Sequence, residues 1–389
     1  EIMVFLIKKI RFTFANPILL NLITMKKIYL LLLLSTSLGF AQIPTGYYST
    51  ATGTGYTLKT QLFNKIKAHT AISYSPGLWN LYYTSDVRPD GKVWDIYSDC
   101  IFVFGTFAAT GGNQDTGTLG SNECERYNRE HTFPKSWFGG PSGVPMYTDA
   151  FHVMPTDKHD NSLRGNMPYG IVGGTSSYTT NNGAKIGICT AANTPASLIV
   201  FEPADQYKGD VARNYFYMAT CYEDKIASWQ KITTDGDAVL DGTSDHVYEN
   251  WYLNLMLKWH AQDPVSQKEI DRNNAVYAVQ GNRNPYIDHP EYACKIWSVA
   301  CAALNTNSFE LIADINIYPN PSNNQRVNIE TENELDDIQL ININGQIMQE
   351  IKKPSAQNHT YTLENLPKGF YFLKLSADSR SITKKIIIN

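Results

Sequence analysis

The rhythm of apolar residues changes near residue 305, and this restricts the chain to two folding units of different kind. Upstream, apolar positions recur at helical spacing. Leu58, Leu62, Phe63 and Ile66 share one face of a helix expected over 57–69, and 248–259 is strongly apolar. A further helix is expected to start at Asp263-Pro264, aspartate capping and proline in the first turn, and to end near Gln280 before Gly281. Short apolar runs at 93–97, 101–107, 171–172 and 186–189 read as strands. Downstream, apolar residues alternate at 326–331, 338–343, 360–363, 370–375 and 382–388, with a hairpin signal at Asn344-Gly345. The fold class expected is α+β: a mixed domain over 42–304, a linker at 305–312 and a small all-β sandwich over 313–389.

The N-terminal region is expected to be processed. Met25-Lys-Lys precedes an apolar run ending at Gly39-Phe-Ala41, so 25–41 reads as a secretory signal peptide, and 1–24 as an over-extended gene start. The 13-residue run is too short to cross a bilayer, so the mature protein is expected to have no membrane span. Six cysteines in an exported chain read as disulfides, with Cys100–Cys124 and Cys294–Cys301 suggested by proximity and buried free thiols as the alternative.

The formal charge of −4 counts against a uniformly basic nucleic-acid binder. Residues 42–304 hold 20 Lys+Arg against 26 Asp+Glu, a balance of −6. A polyanion would need local positive potential, for which Arg126, Arg129, Lys135, Lys158 and Arg164 are the candidates. His69, at the end of the first helix, reads as a solvated residue.

Chemistry concentrates in two segments. Residues 126–134 read Arg-Tyr-Asn-Arg-Glu-His-Thr-Phe-Pro, and 149–166 supply Asn161, Arg164 and Asn166 after Pro155. Phosphodiester hydrolysis needs a deprotonated water, neutralised phosphoryl charge and help for the leaving oxygen. A histidine suits the first task, and a hard cation on oxygen ligands the others. Glu130, His131 and Asn161 are of those types. Neighbours in a strand point to opposite faces, so Glu130 and His131 act together only at a bulge or a strand end.

The segment Tyr127-Asn-Arg-Glu-His-Thr-Phe-Pro-Lys-Ser-Trp-Phe138, with Pro155-Thr-Asp157, Asn161 and Arg164-Gly-Asn166, resembles the secreted bacterial endonuclease I family of His-Me finger (ββα-metal) nucleases. Lys208-Gly-Asp-Val-Ala-Arg213 and Gln280-Gly-Asn-Arg-Asn-Pro-Tyr286 extend the resemblance, which spans 57–300. It implies metal-dependent, non-specific cleavage of DNA and also RNA, with His131 as general base, Glu130 and Asn161 as metal ligands, and Mg²⁺ as cofactor, Ca²⁺ or Mn²⁺ being alternatives. The phosphate-binding arginine that some members place between the base and the metal asparagine has no counterpart at 132–160, which puts Arg164 in that role, with Arg129 as the alternative. His152 is expected to support the finger, and a zinc site through His152 and His159 lacks a third ligand of known spacing.

Ile317-Tyr-Pro-Asn-Pro321, Ile343-Asn-Gly-Gln346 and Lys368-Gly-Phe-Tyr371 through Lys384-Lys-Ile-Ile387 resemble the type IX secretion C-terminal sorting domain. That implies a partner in the secretion machinery and a destination outside the cell or on its surface, reached through the periplasm. The protein is expected to be monomeric. A binding or adhesion protein with a dead site, and a phosphodiesterase for small substrates, are the rival readings.

Overall fold

The computed structural model describes residues 43–310, 315–342, 346–377 and 380–389. The signal-peptide reading at 25–41 and the Asn344-Gly345 turn lie outside them. The chain divides into two compact units between Ile296 and Trp297.

In the first unit the elements are α1 (Gly55–Ile66), α2 (Gly77–Ser85), β1 (Tyr127–His131), β2 (Val153–Asp157), α3 (Lys158–Arg164), β3 (Tyr178–Thr179), β4 (Lys185–Ile188), β5 (Ile199–Glu202), α4 (Lys208–Cys221), α5 (Asn250–Gln262) and α6 (Gln267–Gln280). One antiparallel pair is β1–β2, and β3–β4–β5 form a second small sheet. Helix α4 has apolar or aromatic residues all round. It is buried on every side, packed along α5, with Val211, Ala212, Tyr215, Phe216, Tyr217, Met218 and Ala219 fully inaccessible.

Polar side chains lock this core. Arg213 in α4 pairs with Glu269 (2.8 Å, Nη2–Oε2), which also closes the capping box on Ser266. Asn284 Nδ2 donates to the Arg213 carbonyl, and Asn282 donates to the Ile66 carbonyl and the Tyr217 hydroxyl. The segments at 208–213 and 280–286, which carry part of the family resemblance, are therefore structural.

The helix expected from Asp263-Pro264 starts instead at Gln267, capped by Ser266. Asp263 serves α4: its carboxylate accepts the Gly209 amide at 2.8 Å. A Cβ at Gly209 would lie 2.1 Å from the Asp263 carbonyl oxygen, which is why glycine stands there. The apolar stretches at 93–97 and 101–107 form no strand and pack as irregular chain, held by isolated bonds such as the Val93 amide to the Phe102 carbonyl.

Among its described residues, the second unit contains α7 (Ser298–Glu310) and seven strands, β6 (Asn316–Tyr318) to β12 (Arg380–Ile388). Three strands form one sheet in the order β10-β7-β6 and four another in the order β12-β11-β8-β9, all pairings antiparallel. Alternate residues, among them Val327, Ile329, Ile338, Leu340, Leu373 and Leu375, fill one core. From Asn316 on the described residues form strands and turns, as the alternation requires. Among the described residues no helix is long and apolar enough to cross a membrane.

The cysteines depart from full pairing. Cys100–Cys124 is a disulfide, and Cys294 and Cys301 are disulfide-bonded, but Cys189 and Cys221 are buried free thiols. Both are buried, and neither has a disulfide partner. Titration of the denatured, non-reduced protein is expected to find two thiols, and the native protein should react far more slowly. A count of six would overturn the disulfides, and a count of zero the free pair.

Candidate active site

Strand β1 and strand β2 pair in unbroken register, from Tyr127 opposite Asp157 to His131 opposite Val153. There is no bulge, so β1 keeps strict alternation: Asn128 and Glu130 face one way, Arg129 and His131 the other. His131 is the last residue of the strand, and Pro134 breaks the chain soon after. Glu130 and His131 therefore leave the strand on opposite faces, and only the strand's end at His131 is available to re-aim one of them.

Helix α3 follows β2 directly. Asp157 caps it, its carboxylate accepting the His159 and Asp160 amides at 2.7 and 3.1 Å. Asn161 and Arg164 are three residues apart on one helical face, a spacing of about 4.5 Å along the axis. Their partners on β1 are two residues apart, about 6.6 Å. Asn161 Nδ2 donates to Asn128 Oδ1 (2.8 Å), and Arg164 Nη1 donates to Glu130 Oε1 (2.7 Å). The helix thus reads the strand's polar face.

Glu130 is 3% exposed. Tyr97 also donates to Oε1 at 2.7 Å. Burial pushes the carboxyl up, opposed by the Arg164 charge and these hydrogen bonds. Arg164 has no exposed surface. Its guanidinium lies 4.5 Å from the Tyr169 ring centre, and Nη1 and Nη2 also donate to the His131 and Thr132 carbonyls at 3.0 and 2.9 Å. This departs from the sequence expectation of a phosphate-binding Arg164: the side chain is sealed beneath Tyr169 and committed to Glu130 and the strand's end.

His131 lies among rings, 6.0 Å from Tyr74, 5.2 Å from Tyr147 and 5.5 Å from His152 between centres. Nε2 is 2.9 Å from the Tyr147 carbonyl. A carbonyl only accepts, so Nε2 carries the proton and Nδ1 keeps its lone pair. Burial, then the nearby His152, Lys135 and Arg129 charges, push the imidazole down to about 3, so it is neutral at ordinary pH. His152, fully buried, donates Nε2 to the Met146 carbonyl at 2.6 Å. Two successive carbonyls of the turn Pro145–Tyr147 therefore fix both imidazoles.

Other candidates disperse. Lys158 is spent on Asp115 and the Leu119 carbonyl. His159 is half-buried against Tyr178 and His152 is held by the Met146 carbonyl, and among the described residues neither belongs to a group of three His, Cys, Asp or Glu side chains placed to hold a metal. His69 is not solvated: its side chain is 1% exposed, 3.5 Å from Asp149, with the Cys221 sulfur 3.9 Å from Nδ1. Asp149 already accepts the Tyr217 and Tyr222 hydroxyls at 2.7 and 2.8 Å. Sequence reasoning missed Asn128, Tyr97 and the Tyr147 carbonyl. Strand alternation from Glu130 would have found Asn128. Nothing in the sequence marks a backbone carbonyl.

Glu130 and Asn161 offer a carboxylate and an amide oxygen, hard donors suited to Mg²⁺ or Ca²⁺. Asn161 Oδ1 accepts no hydrogen bond among the described residues, because Nδ2 makes the contacts to β1. The donor set fits such an ion.

An exported enzyme that cuts nucleic acid is the class these features define: a carbonyl-oriented histidine at a strand end, hard oxygen donors on the same strand and on the helix after β2, and a separate β unit. Residues 54–291 match the Endonuclease I family model, and 316–389 match the secretion system C-terminal sorting domain. The chain is 34% identical over 253 residues to the extracellular ribonuclease of Bacillus amyloliquefaciens, covering 64% of this chain and 78% of that protein. Against the extracellular ribonuclease of Bacillus subtilis (strain 168) it is 34% identical over 262 residues, with the same coverage. Against Endonuclease-1 of Buchnera aphidicola subsp. Baizongia pistaciae it is 26% identical over 183 residues, 43% of this chain and 63% of that one. The chain belongs to the Endonuclease I family and carries a type IX sorting tail. It is a secreted or cell-surface endonuclease.

The buried pair at its centre should be sensitive to one-sided change. Arg164→Gln leaves Glu130 buried without its cation and is expected to destabilise the first unit by about 3–5 kcal/mol, read from the denaturant midpoint. A loss within measurement error would mean that the pair does not hold the strand to the helix.

Proposed function

We propose that the protein hydrolyses phosphodiester bonds of DNA and RNA without sequence preference, on a ββα-metal finger formed by β1, β2 and α3. The observation that carries the reading is the bond from His131 Nε2 to the Tyr147 carbonyl, which leaves Nδ1 unprotonated at the strand end. Nδ1 takes a proton from the attacking water. The Tyr147 carbonyl then bears the hydrogen bond of a cationic imidazole, which strengthens as charge develops. Glu130 and Asn161 hold a divalent ion, for which Mg²⁺ is our choice, and the ion when bound supplies neutralisation of phosphoryl charge and help for the leaving oxygen. Arg164 is a positioning residue: it fixes Glu130 and the carbonyls of His131 and Thr132.

The site holds its ion weakly. Glu130 brings one negative charge, which Arg164 already offsets, and Asn161 brings none. Two protein ligands would leave most of the ion's coordination to water. EDTA is therefore expected to abolish plasmid nicking reversibly while the fold survives. His131→Ala should lower the rate at least ~10²-fold, the scale for losing a general base. In a Mg²⁺ titration of the rate, Glu130→Gln should raise the half-maximal concentration, and Asn161→Asp should lower it together with turnover. Superimposable curves for wild type and both variants would remove these residues from the metal. If the wild type nicks nothing but cleaves a small chromogenic phosphodiester, the phosphodiesterase reading stands. If it cleaves neither, the protein binds rather than cuts.

The tail supplies the address. Deleting 313–389 should leave a nuclease active in lysate but retained in the periplasm. Normal activity in the medium from the truncated gene would show that the tail is not needed for export.

A further inference from the structure

The carbonyl-held imidazole does not by itself grip a polyanion, and the chain around it is net acidic. The cations that remain uncommitted near His131 are therefore informative. The buried arginines of this unit are closed on carboxylates: Arg164 on Glu130, Arg213 on Glu269, Arg272 on Asp86 and Arg283 on Asp288. Arg129 is different. It lies on the His131 face of β1 and makes no ion pair among the described residues. Its guanidinium carbon sits 3.7 Å from the Tyr74 ring centre and 4.2 Å from that of Trp79. Nη1 donates to the Tyr74 carbonyl at 2.6 Å, while the buried Nε has no partner. Lys135, four residues beyond His131, is exposed and likewise has no ion pair among the described residues. Its ammonium lies 5.6 Å from the centre of the Tyr147 ring.

The two supporting rings are themselves neighbours, 5.0 Å apart, and both flank His131. Each cation is thus held by a ring that also touches the candidate base. Aromatic faces orient a cation without neutralising it, as a carboxylate would. A site for a neutral or cationic substrate would gain nothing from two such charges. A phosphodiester backbone would, since a guanidinium fork and an ammonium are its usual partners.

We propose that Arg129 and Lys135, braced on Tyr74 and Tyr147, grip the substrate's phosphodiester backbone at His131. They take the electrostatic role that the buried Arg164 does not fill. The inference rests on the nuclease reading of His131 and adds the residues that seat its substrate. The contact is to phosphate alone, so it carries no base information and treats DNA and RNA alike.

Lys135→Gln is the direct test, because the side chain is exposed. Binding of labelled single-stranded DNA and RNA of one sequence is measured in EDTA across a salt series, and KM and kcat are measured in Mg²⁺. The slope of log affinity against log salt should fall by roughly 0.7 for one lost phosphate contact on a single strand. KM should rise by about tenfold, the scale of a single charged contact, with kcat within about twofold. Lys135→Arg should restore both. Arg129→Lys keeps the charge but loses the flat stack, and should raise KM with its thermal midpoint checked alongside. If Lys135→Gln and wild type superimpose in slope and KM while wild type still cleaves, the grip is refuted and the nuclease reading stands. If only DNA or only RNA responds, phosphate recognition is refuted. If wild type neither binds nor cleaves, both readings fall together.

Discussion

The first unit is arranged around one buried ion pair, Arg164 with Glu130. Two charges removed from water are tolerated only when their remaining hydrogen-bonding capacity is met. Here Tyr97 completes the carboxylate oxygen, and the His131 and Thr132 carbonyls complete most of the guanidinium. The same bonds fasten helix α3 to the end of strand β1. Tyr169 closes the top, and its hydroxyl meets that of Tyr97 at 2.5 Å. The ion pair therefore sets where Glu130 points and where the strand stops, and the strand's end in turn presents His131. The arginine faces Glu130 and the strand's end, although its residue type and sequence position suggest direct contact with substrate.

A second set of constraints acts from the opposite face. The turn Pro145–Tyr147 offers two consecutive carbonyls, to His152 and His131. A 3₁₀ turn leaves such carbonyls unpaired at its end, so no side chain is needed to orient the rings. Asp149, just beyond, is held by Tyr217, Tyr222 and Gln280, which fixes the turn against the core. The His69 ring joins this network, which explains why a histidine at a helix end is buried rather than solvated.

Much of this was legible in sequence and some was not. Alternation at 326–388 gave the all-β tail, since period two admits no other regular structure with one buried face. The helices near 57–66 and 250–262 followed from apolar spacing, and the one ending at Gln280 from its capping and stop signals. The start of the last did not: two caps competed, and the loser, Asp263, was claimed by the Gly209 backbone of a distant helix. The runs at 93–107 looked like strands because they are apolar, yet their burial comes from packing as loops, which periodicity does not separate from pairing. The residues Glu130, His131 and Asn161 were visible as chemical types. The facing of Arg164 was not, because a sequence cannot say whether a charge meets a ligand or a neighbour. Cysteine parity misled for a similar reason: burial alone protects Cys189 and Cys221.

The site's chemistry is local while its supports are remote. Tyr127 to Arg164 is a short stretch, but Gln280 reaches across 130 positions to the Ala150 amide, and Arg272 across 122 to its carbonyl. Arg272 also ties Asp86 into the same knot, 186 positions away. Such contacts close only after the intervening chain has paid its loop entropy. A growing chain released before α6 would hold every candidate catalytic residue and lack the struts that fix them. Competence therefore arrives late, when almost the whole unit is present. For a nuclease made inside a cell, that delay in assembly is a safeguard written into the order of the chain.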